Sequence, residues 1–309
     1  MSAKNESKRT SMINAGTVGD GVAHQPLESG LWLVATPIGN LGDITLRAIS
    51  VLRDADVLVC EDTRRTRRLL DLLDIPLRGR RVISYHDRNG ADRRPEVLAE
   101  LEKGGSVAYA SDAGTPLIAD PGFRLVTDAK AEGYAVHTAP GPSSVIAALT
   151  VAGLPTDRFL FAGFLPPKTS ARRRALEDLK DLKSTLVFFE SPRRLAAALI
   201  DFAEVLGAAR PAAIVRELTK TFEDVRQDTL KALADYYQDG DVKGEIVLVV
   251  GPPPKLAHPV KDDAELDRYL ATALQTLSVK DAAREVATRL GLSRRDVYAR
   301  ALALGSEPD

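Results

Sequence analysis

Val107-Ala108-Tyr109-Ala110-Ser111-Asp112-Ala113-Gly114-Thr115-Pro116-Leu117-Ile118-Ala119-Asp120-Pro121-Gly122, running on into Phe123 to Ala131, is the stretch on which the fold turns. Its first four residues read as a buried strand, and Phe123 to Ala131 read as a helix. The loop between them is long and carries two glycines, two prolines and two aspartates. Gly114 lets a ligand approach the backbone closely, while Pro116 and Pro121 stiffen the loop. A loop of this kind after a strand marks a binding site, because ligands of open α/β sheets sit at the carboxyl ends of the strands.

The same strand–loop–helix unit recurs on both sides. Before it come the apolar runs Leu31 to Ala35, Asp56 to Cys60 and Val82 to Tyr85, and after it Ala135 to Thr138. Helical patterns follow each: Ile44 to Leu52 with Asp43 as its expected cap, an arginine-rich helix through Leu69 to Leu73, Pro95 to Lys103 closed by Gly104-Gly105, and Ser143 to Val151. Strands alternating with helices imply parallel strands joined by crossovers. Gly153-Leu154-Pro155-Thr156 breaks the pattern and serves as a boundary. A second α/β section then offers the strands Phe159 to Ala162, Leu186 to Phe189, Ala212 to Val215 and Ile246 to Val250, with a helix over Leu195 to Leu206. Pro252-Pro253-Pro254 reads as a stiff linker.

Beyond it, Ser278 caps a helix with Val279, Ala282, Ala283, Val286 and Leu290 on one face. Gly291-Leu292-Ser293 turns into a second helix carrying Val297, Tyr298, Ala301 and Leu302. The pair reads as a helix-turn-helix whose outer face bears Lys280, Arg284, Arg289, Arg294, Arg295 and Arg300, or equally as a packing hairpin with a solvated face. The expected organisation is a flexible tail over 1–29, α/β domains over 30–155 and 156–252, and a linker with a helical extension over 253–309.

Composition narrows the function classes. The chain has 309 residues, 44% hydrophobic and 28% charged, with a net charge of −1, so any nucleic-acid contact must come from local patches. A single cysteine, Cys60, excludes a disulfide framework and a cysteine zinc site within one chain, and fits a reducing cytosol. His24, His86, His137 and His258 are too scattered for a local metal motif. Met1 to Ser29 lacks the apolar core of a signal peptide, and the longest apolar stretch, Val145 to Leu154, is too short to span a bilayer. The chain reads as soluble and cytoplasmic, without a metal site and without a membrane.

Four more loops at strand ends have unusual compositions. Thr36-Pro37-Ile38-Gly39-Asn40-Leu41-Gly42-Asp43 sits where a dinucleotide fold would carry its glycine-rich turn, yet it lacks G-x-G-x-x-G, and Pro37 removes an amide donor. Glu61-Asp62-Thr63-Arg64-Arg65-Thr66-Arg67-Arg68 joins two carboxylates to four arginines. This suits acid–base work and phosphate contact, or simply a mutually neutralised helix start. Ala139-Pro140-Gly141-Pro142-Ser143-Ser144 brings small hydroxyls that either face a ligand or cap a helix, and Glu190-Ser191-Pro192-Arg193-Arg194 is a further strand-to-helix turn.

Taken in order, these segments resemble the tetrapyrrole methylase superfamily, and within it the branch acting on small-subunit ribosomal RNA. The motifs are Ala35 to Leu41, Glu61-Asp62-Thr63-Arg64, Ser111 to Pro116, Pro140-Gly141-Pro142-Ser143 and Gly163-Phe164-Leu165-Pro166. They continue with Glu190-Ser191-Pro192, Arg216-Glu217-Leu218-Thr219-Lys220 and Lys243-Gly244-Glu245. The resemblance spans Leu31 to Gly251, and the helical extension is similar too. It implies two α/β domains of the tetrapyrrole methylase type with a C-terminal helical hairpin, a homodimer, and S-adenosylmethionine held between the domains. The implied activity is 2′-O-methylation of a cytidine ribose in 16S rRNA of the small ribosomal subunit. Donor contacts carry over to Pro37, Asp112, Gly114, Thr115, Ile118, Ser143, Ser144, Phe189 and Ala213. Arg64, His86, Asn89, Arg294 and Arg295 fall on the RNA side, with Asp62 and His86 as candidates for the base that takes the hydroxyl proton. Phe189, Phe222 and Arg193 stand where Tyr, Tyr and His are expected, and Ser144 where Ala is usual.

The residues themselves agree with that donor. It has no phosphate, so no phosphate cradle is needed; it needs close backbone approach and carboxylates that tolerate a cation. Further basic contacts are expected from Arg64 to Arg68 and Arg172 to Arg174. The rival readings are a C-methyltransferase of precorrin or uroporphyrinogen type, against which the basic extension speaks, and a non-catalytic RNA-binding assembly protein, against which the intact donor loops speak. A dinucleotide oxidoreductase is disfavoured by the missing glycine fingerprint.

Overall fold

The apolar runs of the first half become five parallel strands in the computed structural model of the chain: β1 (Gly30–Val34), β2 (Val57–Cys60), β3 (Arg81–Ser84), β4 (Ser106–Ala110) and β5 (Val136–Ala139). The structure describes residues 27–119, 122–238, 242–253, 263–290 and 292–305. Residues 1–26 of the expected tail, Asp120-Pro121 of the long loop, Pro254 of the expected linker and Gly291 of the expected turn lie outside them.

The strand order is β3-β2-β4-β1-β5. β4 is central and fully buried, as a parallel strand covered on both faces must be, and Val107 pairs with Leu31 on one side and Val57 on the other. From β1 the chain travels towards β2 and β3, whereas from β4 it travels towards β5. The loops after β1 and β4 therefore diverge, which opens a crevice between them at the strand ends.

Five helices cover this sheet: α1 (Leu46–Asp54), α2 (Thr63–Leu72), α3 (Gly90–Glu102), α4 (Phe123–Ala131) and α5 (Ser144–Val151). Two expectations need correction. Asp43 does not cap α1; it lies in a 3-10 turn over Leu41–Asp43, and the cap is Thr45, whose hydroxyl accepts from the Ala48 amide at 3.1 Å. The α3 helix starts at Gly90, with Pro95 inside it, so the proline neither begins nor stops the helix.

The second half forms a five-stranded sheet from β6 (Phe159–Phe164), β7 (Thr185–Glu190), β8 (Pro211–Arg216), β9 (Asp224–Thr229) and β10 (Ile246–Val250), in the order β6-β7-β10-β8-β9. Only β6 and β7 pair in parallel; the others are antiparallel. β9 was not foreseen. Its sequence, Asp-Val-Arg-Gln-Asp-Thr, is polar because an edge strand facing water needs no apolar run. With α6 (Thr169–Glu177), α7 (Leu195–Leu206) and α8 (Leu230–Tyr237), one face of this sheet builds a core around Leu186, Phe188, Phe202 and Leu248. Alternation sends Val187, Ala213, Val215 and Val247 to the other face, where they meet Ile38, Val145 and Leu149 of the first lobe. The two α/β lobes thus share one core and belong to one compact unit ending at Gly251.

Arg172 is buried here, with Nε 2.6 Å from Asp201 Oδ2; Arg173 Nε lies 2.6 Å from Asp201 Oδ1. This corrects the expected Arg172–Arg174 RNA patch: Arg172 and Arg173 are spent on a structural ion cluster, and Arg174 is the exposed member.

The residues after the linker form a second unit. The expected hairpin forms from α10 (Val279–Leu290) and α11 (Arg294–Gly305), and one more helix, α9 (Asp263–Leu274), packs with it. Leu266, Leu270, Ala283, Val286, Val297 and Ala301 form its core. Ser278 accepts from the Asp281 amide as the expected cap. Tyr298 and Leu302, expected on the apolar face, are exposed instead.

Candidate functional site

The crevice at the β1/β4 divergence is built by loops that bond to each other. The Thr36 amide donates to the Gly114 carbonyl at 3.0 Å, and the Gly114 amide donates back to Thr36 at 2.9 Å. The Thr36 hydroxyl donates to the Ser111 carbonyl at 2.9 Å, and the Thr115 hydroxyl to Pro142 at 3.0 Å, which draws in the loop after β5. Ser143 precedes α5, but its hydroxyl makes no capping bond. The crevice continues to the second lobe as a cleft of about 400 Å³. Ile38, Ala113, Gly114, Thr115, Ile118, Ala119, Ser143, Ser144 and Val145 line it on one side. Phe164, Phe189, Glu190, Ser191, Pro192, Val215, Leu218 and Gly244 to Val247 line it on the other.

Both walls hold residues in left-handed backbone conformations. Leu117 (φ 71°) and Ala119 (φ 59°) flank Ile118, which stays 45% exposed; Glu217 (φ 50°) and Thr219 (φ 66°) flank Leu218. Each such residue costs about 1–2 kcal/mol, and the surrounding contacts must over-determine it. For the second wall those contacts are visible. Glu217 Oε1 accepts from Lys220 Nζ at 2.8 Å and from the Glu245 amide at 2.9 Å, and Lys220 Nζ also reaches Glu245 Oε2 at 3.1 Å. The Lys220 bond holds the Glu217 carboxyl below the usual carboxylate range. Gly39 of the β1 loop seats against this clamp: a Cβ there would lie 2.5 Å from Lys220 Cγ and 2.9 Å from the Thr219 hydroxyl.

Of the expected donor contacts, Gly114, Thr115, Ile118, Ser143, Ser144 and Phe189 line the cleft. Pro37 and Asp112 do not; they line a smaller pocket of about 80 Å³ with Thr36, Arg65, Thr66, Leu69 and Ser111. Asp112 Oδ1 accepts the Asp62 amide at 3.1 Å, and its other oxygen lies 3.6 Å from Arg65. Ala213 is wholly buried in the shared core, and Val215, two residues further along the same face, lines the cleft.

Asp62, Arg64, His86 and Asn89 follow β2 and β3, on the outer half of the sheet, and are absent from the cleft lining. Asp62 caps α2, accepts from the Arg64 amide at 2.9 Å and is gripped by its guanidinium at 3.0 and 2.8 Å. Those bonds hold the carboxyl well below its ordinary range. Asn89 is occupied by the turn it sits in: its oxygen accepts the His86 amide at 2.8 Å and its amide donates to Ser84 at 3.0 Å. In the C-terminal unit Arg294 and Arg295 are exposed in the first turn of α11. The expected basic face is narrower than its sequence. Arg300 pairs with Asp267 at 2.7 Å, Arg284 with Asp281 at 2.9 Å, and the Arg289 guanidinium lies over the Tyr269 ring at 4.9 Å.

Sequence reasoning missed Phe164, Glu190, Leu218 and Glu245 as cleft residues, although each belongs to a motif it had singled out. Glu190 is buried, accepts the Ser191 amide at 2.8 Å and faces Arg194 at 3.3 Å. Among the described residues there is no cluster of three His, Cys, Asp or Glu suited to a metal ion, and no helix long and apolar enough to cross a membrane.

Comparison with known proteins adds the following. The family profile of Tetrapyrrole (Corrin/Porphyrin) Methylases matches residues 30–234, and that of the RsmI C-terminal HTH domain matches residues 260–305. The ribosomal RNA small subunit methyltransferase I of Mesorhizobium japonicum is 51% identical over 281 residues, covering 91% of this chain and 94% of the relative. Its counterpart in Halalkalibacterium halodurans is 40% identical over 275 residues, covering 87% and 93%. Among solved structures, the uroporphyrin-III C-methyltransferase of Thermus thermophilus complexed with S-adenosyl homocysteine aligns with a TM-score of 0.51 at 19% identity, over 72% of this chain and 97% of that one.

Proposed function

Because the chain belongs to the ribosomal RNA small subunit methyltransferase I family, on the tetrapyrrole methylase fold, we propose that it methylates the ribose 2′-hydroxyl of a cytidine in 16S rRNA, with S-adenosylmethionine as donor. The observation that carries the reading is the cleft at the β1/β4 divergence. Its volume falls within the roughly 300–1,000 Å³ of small-molecule sites. Gly114, Ala113, Ser143 and Ser144 leave backbone within reach of a ligand, and Val215, Leu218 and Phe189 give it apolar walls. This donor set fits the cofactor better than it fits a dinucleotide, since the loop after β1 offers no phosphate cradle. When bound, the donor supplies an activated methyl carbon. The protein's share is to hold donor and ribose aligned, with reacting atoms about 3–3.5 Å apart, and to exclude water. The names of the relatives and the match at 260–305 favour RNA over a tetrapyrrole as acceptor. The reading includes a cytoplasmic homodimer acting on the small ribosomal subunit.

Labelled methyl transfer to undermethylated small subunits, with the modified nucleotide mapped by resistance to alkaline cleavage, tests the whole. One resistant ribose in the small-subunit RNA is expected; label on a tetrapyrrole instead would sink the RNA assignment.

Asp62 and His86 belong, in this reading, to the RNA-side rim with Arg64 and Asn89. A carboxylate held so firmly ionised is a weak base, and neither residue lines the cleft. Asp62→Asn and His86→Ala are therefore expected to keep single-turnover rates within about threefold of wild type and to raise KM for the subunit. A fall of about 10²–10⁴ in the single-turnover rate would restore a general base to that position. Arg294 and Arg295 are assigned to phosphate contacts. Replacing either with Ala should weaken RNA binding and lower the slope of log affinity against log salt by about one. An unchanged slope would make α11 a packing element.

A further inference from the structure

We infer that Phe164 is the platform on which the target nucleobase stacks, a role that rests on the RNA-methylating reading above. The argument begins with a fault in strand β6. Phe159 pairs with Thr185, Leu160 with Leu186 and Phe161 with Val187; the register then shifts, so that Gly163 pairs with Phe188 and Phe164 with Phe189. Unbroken pairing would have set Gly163, with no side chain, beside Phe189. The extra residue, with Gly163 at φ 65°, moves Phe164 there instead. Because side chains alternate between faces, a one-residue slip decides which face a residue serves. Here it takes Phe164 to the cleft face. Its ring lies 5.4 Å from that of Phe189, which also packs against Phe161 at 4.8 Å.

The result is an aromatic row whose inner members are largely covered and whose outer member is open. Phe164 is 59% exposed and still lines the cleft. A phenyl that a bulge sets into the lining of the cleft, packed against Phe189 yet still more than half exposed, leaves a ring face open to a ligand. Single-stranded RNA is recognised by stacking its unpaired bases on aromatic rings, so an unpaired nucleotide whose ribose enters the cleft has Phe164 to receive its base. Gly114, Ser143, Ser144 and Phe189, which line the same cleft, are left to the donor.

The test uses the full-length enzyme, S-adenosylhomocysteine in calorimetry and undermethylated small subunits in methyl transfer. Phe164→Ala should bind S-adenosylhomocysteine within twofold of wild type and melt at the same temperature. Its kcat/KM for subunits should fall roughly 5- to 150-fold, the span of one base–aromatic stack. Phe164→Trp should restore activity, whereas Phe164→Leu, apolar but without a ring, should not. Loss of donor affinity matching the loss of kcat/KM would assign Phe164 to the donor pocket and overturn the inference, as would a kcat/KM within twofold of wild type, or full rescue by Leu. A wild-type enzyme that labels no small-subunit RNA overturns the RNA reading itself, and this inference with it.

Discussion

Gly114→Val is expected to weaken donor binding about 100-fold or more, measured by calorimetry with S-adenosylhomocysteine. The reason lies in the backbone. Gly114 sits at φ 78°, which costs a residue with a side chain about 1–2 kcal/mol, and a β-branched one at the upper end. Its new Cβ would lie 3.2 Å from Ile38 Cγ2 and 3.7 Å from the Pro142 carbonyl, inside a packed junction where overfilling costs a further 1–3 kcal/mol or so. The nearest way to relieve both is to swing the loop, which breaks the paired bonds to Thr36 and moves Thr115 and Ile118. The penalty is then felt as lost binding, with every 1.4 kcal/mol or so counting tenfold. Binding retained within tenfold by a folded variant would mean that the donor is held elsewhere.

Asp201→Ala is the second large effect, and it bears on stability. Asp201 and Arg172 are both almost wholly buried, and the carboxylate answers two guanidinium groups. Removing it strands the Arg172 charge in the interior, which typically costs about 3–5 kcal/mol. For a unit of this size the melting temperature should fall by roughly 6–20 °C, measured by circular dichroism. The paired replacement Arg172→Met with Asp201→Leu should recover most of the loss, since a buried ion pair is often no better than well-packed apolar groups. A single Asp201→Ala variant melting within about 2 °C of wild type would show that Arg172 finds water or another partner.

What the sequence made legible, and what it hid, follows from burial. β1, β2, β4, β7, β8 and β10 are largely buried apolar runs, and such runs announce themselves. β9 is exposed and polar, so nothing in its pattern distinguishes it from a loop; only its pairing with β8 makes it a strand. The α9 helix was hidden in the same way, because its apolar stripe is sparse and a partner is needed to give it meaning. At the site, Gly114 and the hydroxyls of Ser143 and Ser144 were legible in loop chemistry, whereas Thr115 and Ile118 came only with the family resemblance. Phe164 and Leu218 were not legible, because one depends on a bulge and the other on a pair of left-handed residues, and neither leaves a local signature. Arg172 and Arg300 show the opposite error: an arginine reads as a surface charge until an aspartate distant in sequence is found beside it.

The two-bond bridge between Thr36 and Gly114 bears on how this chain can vary. Surface loops are ordinarily where a protein absorbs added or deleted residues. Here the loops after β1 and β4 are stitched together at one rung, 78 residues apart in sequence, since position 114 lies 78 beyond position 36. An insertion between β1 and Thr36, or between β4 and Gly114, would drag the other loop out of register with it. The two segments are therefore locked in length as a pair, and changes in size have to be taken up elsewhere on the surface.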